Sequence, residues 1–255
     1  MFQFSYKIYL KAGLLAGVML LPGIACKKEL PAEIFPASLT IVNGINDNSS
    51  ILTAYFGETQ PQIYGRLAYI GNGSYFSYAT DQMDLPVTLF KNYDTLQPDK
   101  PFLKTRLALE QGGIFTQFVY GSPTQVKQKL VKEQLPSRSL NDSVVNLRII
   151  NLIDNRTIDV VSLEPAAGPM VADLAYEQLS DFIKIPANMA VKNFRFEVRD
   201  HATGATLTNL SEINVYPGTT TLNTQWLFKA RTMVVTGTWS SEGSFSVQAK
   251  SIGHF

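Results

Sequence analysis

Residues 194–199 read Phe-Arg-Phe-Glu-Val-Arg. Phe194, Phe196 and Val198 alternate with Arg195, Glu197 and Arg199, a period of two that puts apolar side chains on one face of a strand and charges on the other. A helix would scatter them around its surface. Near the C-terminus Phe245, Val247 and Ala249 alternate with Ser246, Gln248 and Lys250 in the same way, which reads as the last strand. From Pro36 onward the chain consists of short segments rich in Ile, Val, Thr, Tyr and Phe, separated by Gly, Asn, Asp and Pro clusters, the pattern of an all-β protein.

At 255 residues the chain has room for two domains of about 100 residues, each with its own core. Internal repetition supports that division. Leu39–Asn43 (LTIVN) reappears as Leu147–Asn151 (LRIIN), an offset of 108 (39 to 147), and each is followed by an Asp-Asn turn, Asp47-Asn48 and Asp154-Asn155. Leu67-Ala68-Tyr69 matches Leu174-Ala175-Tyr176 at an offset of 107 (67 to 174). A duplicated β-sandwich is expected, with the seam in the polar stretch 136–143 (PSRSLNDS). The expected boundaries are a first sandwich over 37–136, a linker over 137–143 and a second sandwich over 144–255. Just upstream of the seam, Val126, Leu130 and Leu135 fit an amphipathic helix and Val126, Gln128 and Leu130 fit a strand. The all-β context favours the strand.

The N-terminus carries a different message. Lys7 and Lys11 precede an apolar run from Ala12 to Leu21, then Pro22-Gly23-Ile24-Ala25 leads into Cys26, the layout of a signal peptide over residues 1–25. The apolar run is too short for a permanent membrane-spanning helix. Cys26 is the single cysteine, so it has no intrachain disulfide partner. Small residues before it resemble the lipobox of bacterial lipoproteins, although Gly23 stands where leucine is usual. The resemblance implies acyl chains on Cys26, palmitate among them, holding the protein to the outer membrane at its periplasmic or extracellular face. Residues 26–36, with two prolines and no periodicity, read as a lipidated tether.

Arg148-Ile149-Ile150-Asn151, then Asp159-Val160, Tyr176, Ser180, Phe182, Ile185-Pro186 and Thr236-Gly237, resemble the bacterial domain-of-unknown-function 4397 family. The first half matches through Tyr69, Tyr75, Thr116 and Gly121, with Thr40 where the second half has Arg148. The resemblance covers nearly all of the chain after Cys26. It implies two tandem immunoglobulin-like antiparallel β-sandwiches on a lipoprotein of Bacteroidetes type, and it brings no catalytic residues.

Composition narrows the chemistry. A net charge of +1 with interspersed signs argues against nucleic acid as a partner. The two histidines, His201 in a turn-like HATG and His254 beside the C-terminus, have no metal-ligand spacing and read as solvated loop residues; no metal or cofactor is expected. Asp47 and Asp154 suit Asx turns better than calcium. The elbow G-x-S-x-G is absent, and Gly71-Asn72-Gly73-Ser74 reads as a hairpin or loop. Glu110 and Asp81 are available as a carboxylate pair, but no spacing says which carboxylates would meet across a cleft, and no catalytic residue is assigned. Asn43 and Asn151 each end an apolar strand, where bonding to backbone is a better reading than ligand contact. Trp226, Trp239, Tyr75 and Tyr78 could stack on sugar rings, with Trp226 and Trp239 the leading candidates, yet aromatic strands more often fill sandwich cores. Asp142-Ser143-Val144 and Asp94-Thr95-Leu96 resemble Bacteroidetes O-glycosylation sites, which makes Ser143 and Thr95 candidates for sugar attachment.

The sum is a non-catalytic envelope module that binds or presents a carbohydrate or protein ligand. A glycan-capture lipoprotein and a structural subunit of a surface fibre or coat are the alternatives, and an undetected hydrolase is the remaining one.

Overall fold

Phe194, Phe196 and Val198 are fully buried on one strand, as their spacing demands. The computed structural model describes residues 35–47, 51–58, 68–91, 100–137, 143–188, 190–191, 193–213, 215, 226–227, 229–239 and 245–254. The leader 1–25, Cys26 and Thr95 lie outside the described residues, as does most of the tether and of the linker.

Regular structure among the described residues is sixteen strands. The first eight are β1 (Ala37–Ile45), β2 (Leu52–Phe56), β3 (Ala68–Ile70), β4 (Tyr75–Thr80), β5 (Asp84–Lys91), β6 (Leu103–Ala108), β7 (Ile114–Ser122) and β8 (Gln125–Lys132). The second eight are β9 (Val144–Leu152), β10 (Ile158–Glu164), β11 (Gly168–Leu174), β12 (Ile183–Pro186), β13 (Asn193–Asp200), β14 (Thr206–Ile213), β15 (Ala230–Trp239) and β16 (Phe245–His254). One sheet runs β4-β1-β7-β8 and its mate β3-β2-β5-β6; eight strands later the same orders return as β12-β9-β15-β16 and β11-β10-β13-β14. The fold is all-β, two tandem immunoglobulin-like sandwiches of one topology. The ambiguous stretch 125–132 is a strand.

Pairing is antiparallel except at one place in each sandwich, where β1 runs parallel to β7 and β9 parallel to β15. A parallel neighbour needs a long crossover, and here five intervening strands supply it. At β15, Gly237 makes room for an aromatic ring, because a Cβ there would sit 2.5 Å from Phe245 Cζ.

Each sandwich has its own core. Leu39, Ile41, Leu85, Val87 and Phe115 are among the side chains filling the first, and Leu147, Ile149, Phe194, Phe196 and Trp226 are among those filling the second. A third core lies between them. Val42, Phe118 and Tyr120, on the outward face of the first sandwich, meet Ile150, Leu152, Val234 and Ile252 of the second. Residues 35–255 therefore form one compact unit.

The repeated asparagines explain why the duplication is visible at all. Asn43 and Asn151 are fully buried on the inward faces of β1 and β9. Each Oδ1 accepts from the backbone N–H two residues on, Ile45 at 3.1 Å and Ile153 at 3.0 Å. Each Nδ2 donates across the sandwich to a backbone carbonyl, Ile70 at 3.0 Å and Leu174 at 2.9 Å. The corner that follows is also repeated. Gly73 N donates to Asn43 O and Ser74 N to Gly71 O, while Glu177 N donates to Asn151 O and Gln178 N to Ala175 O. These bonds pair Ile70 with Leu174, an offset of 104 (70 to 174). The matching tripeptides Leu67-Ala68-Tyr69 and Leu174-Ala175-Tyr176 are therefore three residues out of structural register, and their likeness is coincidental. The Gly-Asn-Gly-Ser stretch is a corner that carries the chain from β3 in one sheet to β4 in the other, so it is a loop rather than a hairpin.

Candidate functional site

The corner 71–74 sets up the lip of a cleft. Its backbone bonds to Asn43 hold the start of β4, where Tyr75 pairs with Val42 and remains 44% exposed. Alternation along β4 turns Phe76 and Tyr78 inward against the first core, with Tyr78 stacked on Phe56 at 3.9 Å between centroids. Tyr75 thus points away from its own core, toward the second sandwich.

The opposite wall belongs to β14, β15 and β16. Together with Ser74 and Tyr75, the residues Glu212, Arg231, Lys250 and Ser251 line a cleft of about 520 Å3 whose apolar lining includes Leu210 and Ala249. Arg231 occupies the core-facing register of β15 shared by Met233 and Val235, at the mouth of the sandwich. Its guanidinium lies 4.4 Å from the centre of the Trp226 ring, and Nη2 donates to Ser251 Oγ at 2.8 Å. Ser251 Oγ donates onward to Glu212 Oε1 at 3.3 Å. Burial pulls the Arg231 pKa down from its usual value, while the charge of Glu212 and the Tyr75 phenol oppose the shift, so both walls of the cleft act on this guanidinium. It remains a cation, since arginine starts far above neutrality. Across the cleft, Lys250 Nζ donates to the Asn72 carbonyl at 2.8 Å. The arrangement offers an exposed aromatic face, fixed donors and a carboxylate acceptor within one groove, the mixture that recognises polyhydroxylated rings.

Elsewhere the sequence candidates separate. Trp226 is 1% exposed, packed edge-on to Phe194 at 5.4 Å and capped by Arg231, so it is a core side chain and not the sugar-stacking residue expected from the sequence. The Trp239 backbone closes β15 opposite Phe245, and its side chain lies outside the described residues. Ser143 is exposed immediately before β9. His201 is exposed, with Nδ1 2.8 Å from Asp159 Oδ1, and that carboxylate raises its pKa. Asp47 is bound to Lys91 at 2.8 Å, and no metal-binding group of His, Cys, Asp and Glu occurs among the described residues.

His254 overturns its expectation as a solvated residue. It ends β16 and is only 4% exposed, because the outward face of that sheet is covered where the two sandwiches meet. Arg148 Nη2 donates to Glu133 Oε1 at 2.6 Å, and Arg148 Nε donates to Thr232 Oγ1 at 2.9 Å. Thr232 Oγ1 lies 2.6 Å from His254 Nε2. The hydroxyl accepts from arginine and still has its own proton to donate, which an unprotonated Nε2 can accept. Burial pushes the imidazole pKa down to about 4, with Glu133 opposing and Arg148 and Arg231 assisting. Glu133 comes from the segment after β8 and Arg148 from β9, so this ion pair joins the two sandwiches.

Sequence reasoning missed Arg231, Glu212 and the Glu133–Arg148 pair. The available signal was Arg231 itself, a charge at the in-facing position of a strand whose next two in-facing residues are Met233 and Val235.

No protein-family model matches the chain, and no curated protein matches it by sequence. Solved structures with some likeness include a streptococcal virulence factor described for alpha-glucan binding, at a TM-score of 0.27 and 9% identity over 82% of this chain and 96% of that one. The fimbrial anchor protein Mfa2 from Porphyromonas gingivalis aligns at a TM-score of 0.26 and 8% identity, over 86% and 98%. A DUF3823 family protein from Bacteroides ovatus aligns at 0.20 and 9%, over 70% and 98%. Likenesses at these scores carry no argument for this chain.

Proposed function

We propose that the protein is a non-catalytic lipoprotein of the cell envelope, acylated at Cys26 after removal of residues 1–25, that binds a carbohydrate in the cleft between its two sandwiches. The observation that carries the reading is the placement of Tyr75, 44% exposed, opposite the hydrogen-bonded chain Arg231–Ser251–Glu212. An aromatic face packs on the axial hydrogens of a sugar, and fixed polar groups read its hydroxyls. Among the described lining residues Glu212 is the one carboxylate. Glycoside hydrolysis ordinarily needs two, so capture suits the groove better than cleavage. The signal-peptide layout ahead of Cys26, with small residues just before the cysteine, supports an envelope position.

Binding of detergent-extracted full-length protein to a glycan array tests the ligand class. The expected result is a saccharide signal that Tyr75→Ala lowers at least about tenfold, the loss of a stacking contact worth about 1.4 kcal/mol. A signal unaffected by Tyr75→Ala would remove the cleft from the account. Palmitate incorporation that disappears in Cys26→Ser tests the anchor, and a wild-type protein that takes up no label would refute it.

A further inference from the structure

We infer that the end of the first sandwich carrying Phe35 rests on a lipid surface, with the Phe35 ring in the headgroup layer and Tyr75 at the end turned away from the membrane. The inference rests on the acylation of Cys26 proposed above and adds how the protein stands on its anchor.

Two large hydrophobic side chains are exposed among the described residues, Phe35 at 57% and Tyr75 at 44%. They mark opposite ends of the first sandwich. Phe35 precedes β1, and backbone bonds fix what lies beside it: Gly112 N donates to the Phe35 carbonyl at 3.1 Å, Ser38 N to Gly113 O at 2.9 Å and Leu109 N to Met83 O at 2.7 Å. This end is therefore made of Phe35, the bend at 81–83 and the turn at 110–113. Tyr75 pairs with Val42, five residues along β1 from Ala37 (37 to 42), a rise of about 17 Å.

A single exposed ring is ordinary on a protein surface, and position is what gives this one a partner. Phe35 is nine residues beyond Cys26 (26 to 35), so even a fully extended chain keeps it within about 32 Å of the acylated sulfur. Acyl chains in the bilayer would hold this end at the surface at high effective concentration, where the ring needs no diffusional search. Its backbone is already pinned by Gly112, which leaves little order to be imposed on insertion. Charge at this end is mixed, Glu110 paired with Lys132 and Asp84 with Arg106, with Asp81 exposed in the bend. The contact is thus apolar and calls for no anionic lipid.

Nitroxide labels on Gln111→Cys and Gln125→Cys test the inference in the full-length acylated protein bound to phosphatidylcholine vesicles. Both residues are exposed; Gln111 lies in the turn beside Phe35, and Gln125 pairs with Ser122 at the other end of the same sandwich. Cys26 is the single native cysteine, so once it is acylated the introduced thiol takes the label. On vesicle binding the label at 111 is expected to lose collisions with a water-soluble nickel chelate and to gain them with oxygen, while the label at 125 keeps its solution values. Phe35→Asp, a change at an exposed side chain, should return the label at 111 to solution values without releasing the protein from the vesicles. Equal accessibility at 111 and 125 in vesicle-bound protein, or a shift at 111 that survives Phe35→Asp, overturns the membrane contact and leaves the acylation standing. A wild-type protein that takes up no palmitate and stays off the vesicles overturns both.

Discussion

Two buried polar residues do work that apolar neighbours cannot. Asn151 holds three backbone groups through one amide: it donates to the Arg156 and Leu174 carbonyls at 2.7 and 2.9 Å and accepts from Ile153 N at 3.0 Å. Replacement by Ala strands those groups in the core, at about 1–3 kcal/mol for each one left unsatisfied. Asn151→Ala is therefore expected to lower unfolding free energy by about 3 kcal/mol or more in urea titration, with water entering the gap the route to a smaller loss. His254 gives the residue scale a pH dependence. Its folded pKa of about 4 lies below the ordinary histidine value of 6.5, so the unfolded chain takes up a proton at a higher pH than the folded chain does. The stability that the neutral imidazole allows is complete above pH 6.5 and is lost as pH falls from there through about 4. The window corresponds to a loss on the order of 3 kcal/mol. His254→Gln, which keeps a polar side chain without a titrating ring, should flatten that part of the profile when unfolding is measured at pH 7.5 and pH 4.5. Parallel losses in both proteins would assign the acid sensitivity to the carboxylates instead.

Elements show what duplication has kept and what it has changed. The two corners have the same hydrogen bonds and the same left-handed residue, Gly73 at φ 64 and Glu177 at φ 66. Glycine reaches that conformation without penalty, and an L-residue gives up about 1–2 kcal/mol there. Gly73→Ala adds a Cβ to the same backbone and directs it at the Lys250 side chain, so thermal unfolding should register a loss of about 1–2 kcal/mol and Lys250 should leave the Asn72 carbonyl. A stability unchanged within error would mean that the corner relaxes to a different backbone. Glu177 bears the left-handed conformation with its side chain engaged, because Lys127 Nζ reaches Glu177 Oε1 and Lys129 Nζ reaches its carbonyl, each at 3.0 Å. The eighth strand of each sandwich thus touches the corner of the other. The strands themselves were legible from alternation, as at residues 194–199 and 245–250, because one buried face enforces period two. The repeated LTIVN and LRIIN were legible because their asparagines answer to the same backbone groups. The corner register was not, since it depends on hydrogen bonds between residues about 25 apart in the chain, and three shifted letters can imitate a repeat. Arg231 and Glu212 were opaque for a similar reason: their meeting depends on how β14 lies against β15 and β16, which no local spacing encodes.

At the scale of the molecule, the outward faces of the two sheets that pack together decide whether there is a site at all. Val42, Phe118, Tyr120, Ile150, Leu152, Val234 and Ile252 form the third core, and Tyr120 meets Tyr176 of the other sandwich edge-on at 6.1 Å. Burying side chains of this kind contributes about 1.5–3 kcal/mol each, so the contact is worth on the order of 10 kcal/mol. That is comparable with the whole stability of an ordinary domain, about 5–15 kcal/mol. The sandwiches should therefore unfold together, in a single calorimetric transition. Phe118 is fully buried at this contact, and Phe118→Asp places an unpaired charge there without altering the inward faces of either sandwich. The expected outcome is two separate transitions, each near the size of one sandwich, together with loss of saccharide binding, because Tyr75 belongs to one partner and Arg231 to the other. A Phe118→Asp protein that melts in two steps and still binds sugar with wild-type affinity would place the ligand on a single sandwich and remove the groove between them from the function.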